Sequence, residues 1–383
     1  MPRKPLRKIW LKLHAYLGLV LGAPLAVIGL TGSLIVFGWP LDAWLNQDLM
    51  RVNVPVNAHP LPPQDIIDAA RRVLPPAASP LDWLQFPTGA DGVFRVSYTV
   101  PPSPDSYEVF IDSYTAKVLG QRLWGDFGSC CSWHGPLMTV LYRFHDSFWL
   151  GETGQIIVGG IGLVMLLSLL SGIVLWFPSP GHWRQALSLK KHASWERKVF
   201  DWHKLMGVYS IAVLAGLFFT GAYLNFPKQS QALVNLVSPL TQPPTALKSQ
   251  AKTGLAALNA NDALQQMRHY FPDKKLYAMS LPIAPDDAYE FYFFSGFELM
   301  PDIAESVAYL DPYNGELLYA HNADHPSAGD VFNKWQLALH SGQAFGLAGQ
   351  ITVMLCGLAP SVLFATGLIR WRQKQRSKRQ KAA

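Results

Sequence analysis

Four histidines stand at matching positions in a chain of 383 residues, and imidazole is above all a metal ligand. His14 is followed by Gly18, Thr31 and Gly32, and His203 by Gly207, Thr220 and Gly221, all at one offset of 189. A second offset, 195, carries His145 onto His340. It also carries Gly151, Gly154, Gln155, Gly162, Gly172 and Trp176 onto Gly346, Gly349, Gln350, Gly357, Gly367 and Trp371. Glycines alone coincide readily in apolar helices, where small residues are common. A Gln, a Trp and two His at fixed offsets mark an internal repeat. Two imidazoles facing each other across a flat macrocycle are what a six-coordinate b-type haem needs. The same pair could take a bare copper or iron ion, though no nearby acid or cysteine completes such a site. Taken singly, a histidine at the end of an apolar run is an interfacial or packing residue. Four at repeat-equivalent places favour ligation.

The elements that must position these residues are apolar. No Asp, Glu, Lys, Arg or His occurs in Ala15–Leu41, Ile156–Gly181, Leu205–Pro227 or Ala344–Ile369. Each run exceeds the roughly 20 residues that cross about 30 Å of hydrocarbon at 1.5 Å per residue. The expected fold is therefore a membrane all-α four-helix bundle carrying two small α+β exterior domains. Segments 1–12, 178–198 and 370–383 hold 17 Lys and Arg against one acid, Glu196, which places them and both termini in the cytoplasm. The net charge of +6 is thus a topology signal and gives no support for nucleic-acid binding. The first apolar run is too long for a cleaved leader. Cys130 and Cys131 are adjacent, poor geometry for a structural bridge, and Cys356 falls within a span.

Spans that alternate up and down put His14 and His203 at the inner level, and His145 and His340 at the outer level. In such a bundle helices 1 and 3 face each other across a diagonal, as do 2 and 4. Gly18 and Gly207 lie one turn beyond their histidines and leave room for a porphyrin. Lys12, Lys204, Arg143 and Lys334 are near enough in sequence to pair with its propionates. His134, about three turns before His145 on a continuous helix, is an alternative ligand or a substrate-side residue. His182 and His192 belong to the basic loop; His59, His269, His321 and His325 read as exterior residues, with a weak metal option at His321 and His325. The tryptophans flanking the spans read as an interfacial belt, with Trp149 and Trp335 close to the outer histidines. The two levels should lie roughly 25–35 Å apart along the helices, with Phe218, Phe219 and Tyr223 as candidate intermediates.

The two long connections look alike. Residues 63–75 and 260–271 read as amphipathic helices, and 81–120 and 275–295 as strands. The endings "VFIDSYTAKVLG" and "AYLDPYNGELLY" place Asp112, Tyr114 and Leu119 against Asp311, Tyr313 and Leu318. A short helix, a strand pair and this ending resemble a PepSY domain. Flanked by spans that open on a histidine, the whole resembles the PepSY-associated transmembrane family, which includes siderophore-iron reductases of the FoxB type. The expected layout is a basic N-terminus and first span (1–38), a first domain (39–133), a helix and second span (134–177) and a cytoplasmic loop (178–198). A third span (199–227), a second domain (228–330), a fourth span (331–371) and a basic tail (372–383) follow.

For its reductase members the resemblance implies two haem b groups in the spans and reduction of ferric siderophore at the periplasmic face of a bacterial inner membrane. The catalytic signatures of other enzyme classes are missing from the sequence: it has no triad signature, no paired-carboxylate signature and no GxGxxG after a strand. Electrons would come from a quinol or a separate reductase. Two other readings stand beside this one. A PepSY-type binding or regulatory module would leave the histidines incidental. A permease would need paired charges or broken helices near the midplane, where only Pro24 and Pro360 offer kinks.

Overall fold

The computed structural model describes residues 4–125, 133–241, 247–249, 256–294, 304–321 and 326–382; Cys130, Cys131 and His325 lie outside the described residues. The first charge-free run folds as α1 (Lys4–Val20) and α2 (Gly22–Ile35), bent by 56° at Leu21. Pro24 lacks the amide that would bond the Val20 carbonyl, and its ring crowds that turn, so the bend falls there. The short helices α3 (Gly38–Leu45) and α4 (Gln47–Met50) follow. Next comes α5 (Pro63–Arg71), with proline in its first turn, where a missing amide costs nothing. Strands β1 (Trp83–Gln85), β2 (Phe94–Thr99), β3 (Ser106–Ile111) and β4 (Val118–Gly125) form a meander. The chain returns through α6 (Leu137–Ser147) to α7 (Gly151–Trp176). Between them Phe148, Trp149 and Gly151 take positive φ of 50°, 62° and 56° and turn the chain sharply.

A short α8 (Trp183–Ala186) leads to α9 (Trp195–Asn225), whose N-cap Ser194 accepts a bond from the Arg197 amide. Then come α10 (Pro227–Asn235), α11 (Ala260–Tyr270) and strands β5 (Leu276–Ser280), β6 (Tyr289–Phe294), β7 (Ala304–Leu310) and β8 (Leu317–Ala320). Helix α12 (Ala328–Ser341), a 3₁₀ turn at Gln343–Phe345, α13 (Gly346–Gly357) and α14 (Ala359–Ala382) complete the chain. The stretches Gly151–Trp176, Trp195–Asn225 and Gln343–Gln380 are long and apolar enough to cross a bilayer, and the bent α1–α2 pair makes a fourth if it is one span.

Two compact units result. The helical unit comprises Met1–Gly38, Leu141–Leu233 and Asn333–Ala383. In it α1 packs on α7, α7 on α9, α9 on α14 and α14 on α2. Leu25, Ile28, Ile161, Met165, Leu214, Phe218 and Ala359 form its buried centre. Small residues bring backbones together: Ser33 Oγ donates to the Met354 carbonyl at 2.8 Å, and Ser361 Oγ to that of Ala26 at 3.2 Å.

The sheet unit comprises Trp39–Val140 and Val234–Phe332. Here the structure departs from the expected pair of exterior domains. All eight strands belong to one antiparallel sheet in the order β4-β3-β2-β1-β5-β6-β7-β8. The seam is β1 against β5, with Leu84 opposite Met279. A three-residue β1 left as an edge would expose unpaired amides and carbonyls, and pairing it with β5 satisfies them. Helices α5 and α11 cover one face together, through a shared core that includes Ile66, Ile67, Ala263, Met267, Phe94 and Phe291. The two helices are also tied directly: the Gln64 amide donates to Asn261 Oδ1 at 2.8 Å, and the Ala260 amide to Gln64 Oε1 at 3.1 Å.

Candidate functional site

The helical unit brings together the residues that the sequence singled out in pairs. His14 on α1 faces His203 on α9, with ring centroids 6.1 Å apart and planes at 87°. His145 on α6 faces His340 on α12, with centroids 6.0 Å apart and planes at 54°. Along α9 the span from His203 to Thr220, where His340 docks, is about 26 Å at 1.5 Å per residue.

Each ring is anchored through Nδ1 on a helix other than its own. His14 Nδ1 lies 3.2 Å from the Ser168 carbonyl and 2.9 Å from Ser171 Oγ on α7. His203 Nδ1 lies 3.1 Å from the Leu363 carbonyl and 3.0 Å from Thr366 Oγ1 on α14. His145 Nδ1 lies 2.8 Å from the Ile28 carbonyl and 3.4 Å from Thr31 Oγ1 on α2. His340 Nδ1 lies 2.9 Å from Thr220 Oγ1 on α9, beside the Leu217 carbonyl. The pattern is the same four times: a carbonyl, a hydroxyl three residues on, and then a glycine. A Cβ added to Gly172 or Gly367 would meet the Cε1 of His14 or His203 at 3.4 Å. At Gly221 it would meet His340 Cε1 at 3.0 Å, and at Gly32 His145 Cε1 at 2.7 Å.

These contacts set the tautomer. Every hydroxyl hydrogen is already committed to a carbonyl of its own helix: Ser171 to Ser168, Thr366 to Val362, Thr31 to Ile28 and Thr220 to Gly216, at 2.6, 2.6, 2.9 and 2.8 Å. The hydroxyl oxygens and the carbonyls are therefore acceptors, and each histidine must donate from Nδ1. Nε2 is left with its lone pair, the form that ligates a metal, and the anchored Nδ1–H raises its basicity. A metal–imidazole bond of about 2.0 Å on each side, plus about 1.1 Å from nitrogen to ring centre, puts two trans imidazole centroids about 6.2 Å apart. The observed 6.1 and 6.0 Å match that spacing. Among the described residues no group of three or more His, Cys, Asp or Glu could hold a bare ion. Two facing imidazoles with nothing else from the protein would suit a metal whose remaining donors come with it.

The other expectations fare differently. At Gly18 an added Cβ would meet nothing within 4 Å, and at Gly207 only Leu363 Cδ2 at 3.7 Å, so the helix surface one turn from each inner histidine is open. Lys204 is not available to an incoming anion. Its Nζ pairs with Asp201 Oδ1 at 3.1 Å, one turn back on α9, and donates to the Ser188 carbonyl at 3.1 Å. Arg143 is buried on α6, Lys12 is exposed and Lys334 is half-buried. His134 does not share a helix with His145. The chain carries Gly135 at φ +132° and then Pro136, α6 begins only at Leu137, and the exposed His134 stacks on Trp133 with centroids 4.5 Å apart. Phe218 lies in the buried centre, Phe219 is exposed, and Tyr223 donates to Asn333 Oδ1 at 2.8 Å.

Sequence reasoning missed Ser171 and Thr366 as anchors. The signal was present: Thr31-Gly32, Ser171-Gly172, Thr220-Gly221 and Thr366-Gly367 are four hydroxyl–glycine dipeptides, one in each apolar run.

Comparison with known proteins is consistent with a membrane origin for this arrangement. An uncharacterized protein of Pseudomonas aeruginosa, PA4219, is 25% identical over 147 residues, which cover 34% of this chain and 36% of that protein. The match thus spans about a third of that relative's length. The family described as PepSY-associated TM region matches residues 11–374, nearly the whole sequence, and the chain belongs to that family.

Proposed function

We propose that this protein is a di-haem b-type reductase of the bacterial inner membrane that carries electrons across the bilayer and reduces ferric siderophore at the periplasmic face, releasing Fe(II). The observation that carries the reading is the two pairs of facing imidazoles, with centroids 6.1 and 6.0 Å apart and each Nδ1 anchored on another helix. On this reading α1–α2, α7, α9 and α13–α14 form a four-helix bundle made by internal duplication, with both termini in the cytoplasm and the sheet unit in the periplasm. His14 and His203 would hold one haem and His145 and His340 the other. Bound there, the two groups would supply one-electron carriers, one toward each face of the membrane.

The chain's own residues do the rest. Ser171, Thr366, Thr31 and Thr220, with the carbonyls beside them, fix the ring orientations before any ligand arrives. The glycines next to those hydroxyls let the rings lie against helix backbone. The apolar centre around Leu214, Phe218 and Met165 keeps water from the space between the levels. Phe218 is the aromatic residue buried in that centre, and so the one placed to shorten a path of about 26 Å. Electrons would enter from a quinol in the bilayer or a separate reductase. Hard hydroxamate or catecholate oxygens favour Fe(III), and one added electron weakens their hold on the iron.

The test is a reduced-minus-oxidised absorption spectrum of the detergent-purified protein, with haem counted per chain. About two b-type haems per chain are expected. His145→Ala and His340→Ala should each remove the same spectral component, and His14→Ala and His203→Ala the other. A colourless protein, produced with haem supplied, sinks the reading and leaves a PepSY-type binding module as the better account.

A further inference from the structure

Helix α14 does not stop where its apolar run stops. It continues unbroken to Ala382, about 20 Å past Ile369 at 1.5 Å per residue. Residues 372–381 include Arg372, Lys374, Arg376, Lys378, Arg379 and Lys381, with no acidic and no apolar side chain among them. Arg370, Lys374 and Lys378 follow one another at single turns, and Arg7 on α1 joins them: all three of the others are near enough to Lys374 to act on it electrostatically. Among the described residues none of the four forms an ion pair. Arg370 donates to neutral acceptors, the Glu196 carbonyl at 3.2 Å and Gln373 Oε1 at 3.0 Å. The buried acid of the neighbouring helix, Asp201, is already held by Arg197 and Lys204. The helix dipole favours cations in the last turn, but Arg370 and Lys374 lie at least two turns earlier. Like charges one turn apart weaken a helix, so this end of the molecule is built for an acidic counterpart that the chain does not supply.

Anionic headgroups are the ordinary partner of basic residues beside a span. Two features favour a protein surface instead. A helix bound along a lipid surface buries an apolar face, and 372–381 has none. The headgroup layer is only about 6 Å deep, whereas Lys378 lies about 13 Å beyond Ile369 on an unbroken helix. The position of the charge also matters. Arg370 stands one turn past Thr366, whose hydroxyl lies 3.0 Å from His203 Nδ1, and its guanidinium lies 5.5 Å from the Phe200 ring on α9. The cations thus begin directly beyond the seat of the inner histidine pair.

We propose that Arg7, Arg370, Lys374 and Lys378 form the docking surface for a soluble one-electron carrier with an acidic face, of the flavin or iron–sulfur class. This rests on the reductase reading and on its topology, and it chooses the separate reductase over the quinol as the source of electrons. On each docking the carrier is oxidised by one electron and the haem proposed for His14 and His203 is reduced by one. From Thr366 to Lys374 is two turns, about 12 Å along α14, so a carrier seated there lies close to the inner level. The attraction is between charges in water and is therefore sensitive to salt.

The experiment uses the full-length protein in phosphatidylcholine nanodiscs, where no anionic lipid competes. The probes are a flavodoxin and a plant-type ferredoxin, both acidic, with the basic cytochrome c as counter-probe. Binding is read by thermophoresis at about 50 and about 300 mM sodium chloride. Both acidic proteins should bind at the lower salt and lose about tenfold in affinity at the higher, and cytochrome c should not bind. Lys374→Glu combined with Lys378→Glu should weaken the acidic probes about tenfold, whereas Lys374→Arg combined with Lys378→Arg should keep their affinity. Absence of binding by both acidic proteins, an affinity indifferent to salt, or an unaltered affinity in the charge-reversed pair overturns the proposal. If neither acidic protein binds and the wild type retains more phosphatidylglycerol than the charge-reversed pair, the surface belongs to lipid. Haem counted on the same samples keeps the two readings apart. A protein with two haems and no salt-sensitive binding loses only the docking surface, and a haem-free protein that binds the acidic probes loses only the reductase.

Discussion

At Gly32 a Cβ would stand 2.7 Å from His145, and at Gly172 it would stand 3.4 Å from His14, so the same one-carbon change has different consequences at the two levels. A contact of 3.4 Å is ordinary, whereas 2.7 Å against a ring pinned by two hydrogen bonds must displace the ring. On the di-haem reading, Gly32→Ala should therefore lose the haem proposed for His145 and His340, while Gly172→Ala keeps the one proposed for His14 and His203. Haem per chain and the component remaining in the difference spectrum check this, and equal loss in both variants would show that the glycines do not seat the rings. The pairing of the histidines was legible in the sequence because identical residues recur at fixed offsets. Their anchors were legible only in part. Ser171 and Thr366 occupy equivalent positions with different side chains, so a search for identities passes over them although the hydroxyl chemistry is the same. Lys204 misled for a related reason: nearness in sequence to His203 does not reveal that Asp201, one turn back, already holds its charge.

Helix α3 is eight residues long and is held to the sheet by charge rather than by a broad apolar face. Asp42 and Glu108 share Arg122, with side chains only 4%, 8% and 12% exposed. Removing the shared cation leaves the buried Asp42 carboxylate without an ion-pair partner and Glu108 with Arg95 alone, a defect worth about 3–5 kcal/mol in comparable cases. Arg122→Ala should lower the thermal midpoint of the sheet unit accordingly. Glu108→Gln, which keeps a hydrogen-bond acceptor, should cost less. Circular dichroism melts of the two variants decide it, and equal effects would mean that the network acts as packing alone. At this scale the sequence was most readable where composition is extreme. The unbroken α7 and α9 follow from charge-free runs, and the bend at Leu21 lies where Pro24 removes a helical amide. The expected helix through His134 failed at Gly135 and Pro136, a glycine–proline pair that ends a helix more strongly than a spacing of eleven residues argues for one.

Across the whole molecule, the departure from expectation is the single sheet. Strand patterns report which residues alternate, but not which edges meet, and the β1–β5 pairing joins residues nearly two hundred apart in the chain. Leu84 sits fully buried at that seam. Leu84→Ala should cost about 2–5 kcal/mol and lower hydrogen-exchange protection in β2–β4 and β6–β8 together. Loss confined to β2–β4 would mean that the two halves unfold separately in spite of the shared sheet. The anchoring of each imidazole on a foreign helix has a consequence for biogenesis. His14 emerges from the ribosome first, but the seat of its opposite number, Thr366 and Gly367, is made about 350 residues later. His145 likewise waits for His340. Neither level can be completed before the second half of the chain is made, so a polypeptide cut short before His340 holds only half-sites, and on the di-haem reading loading would wait for that half.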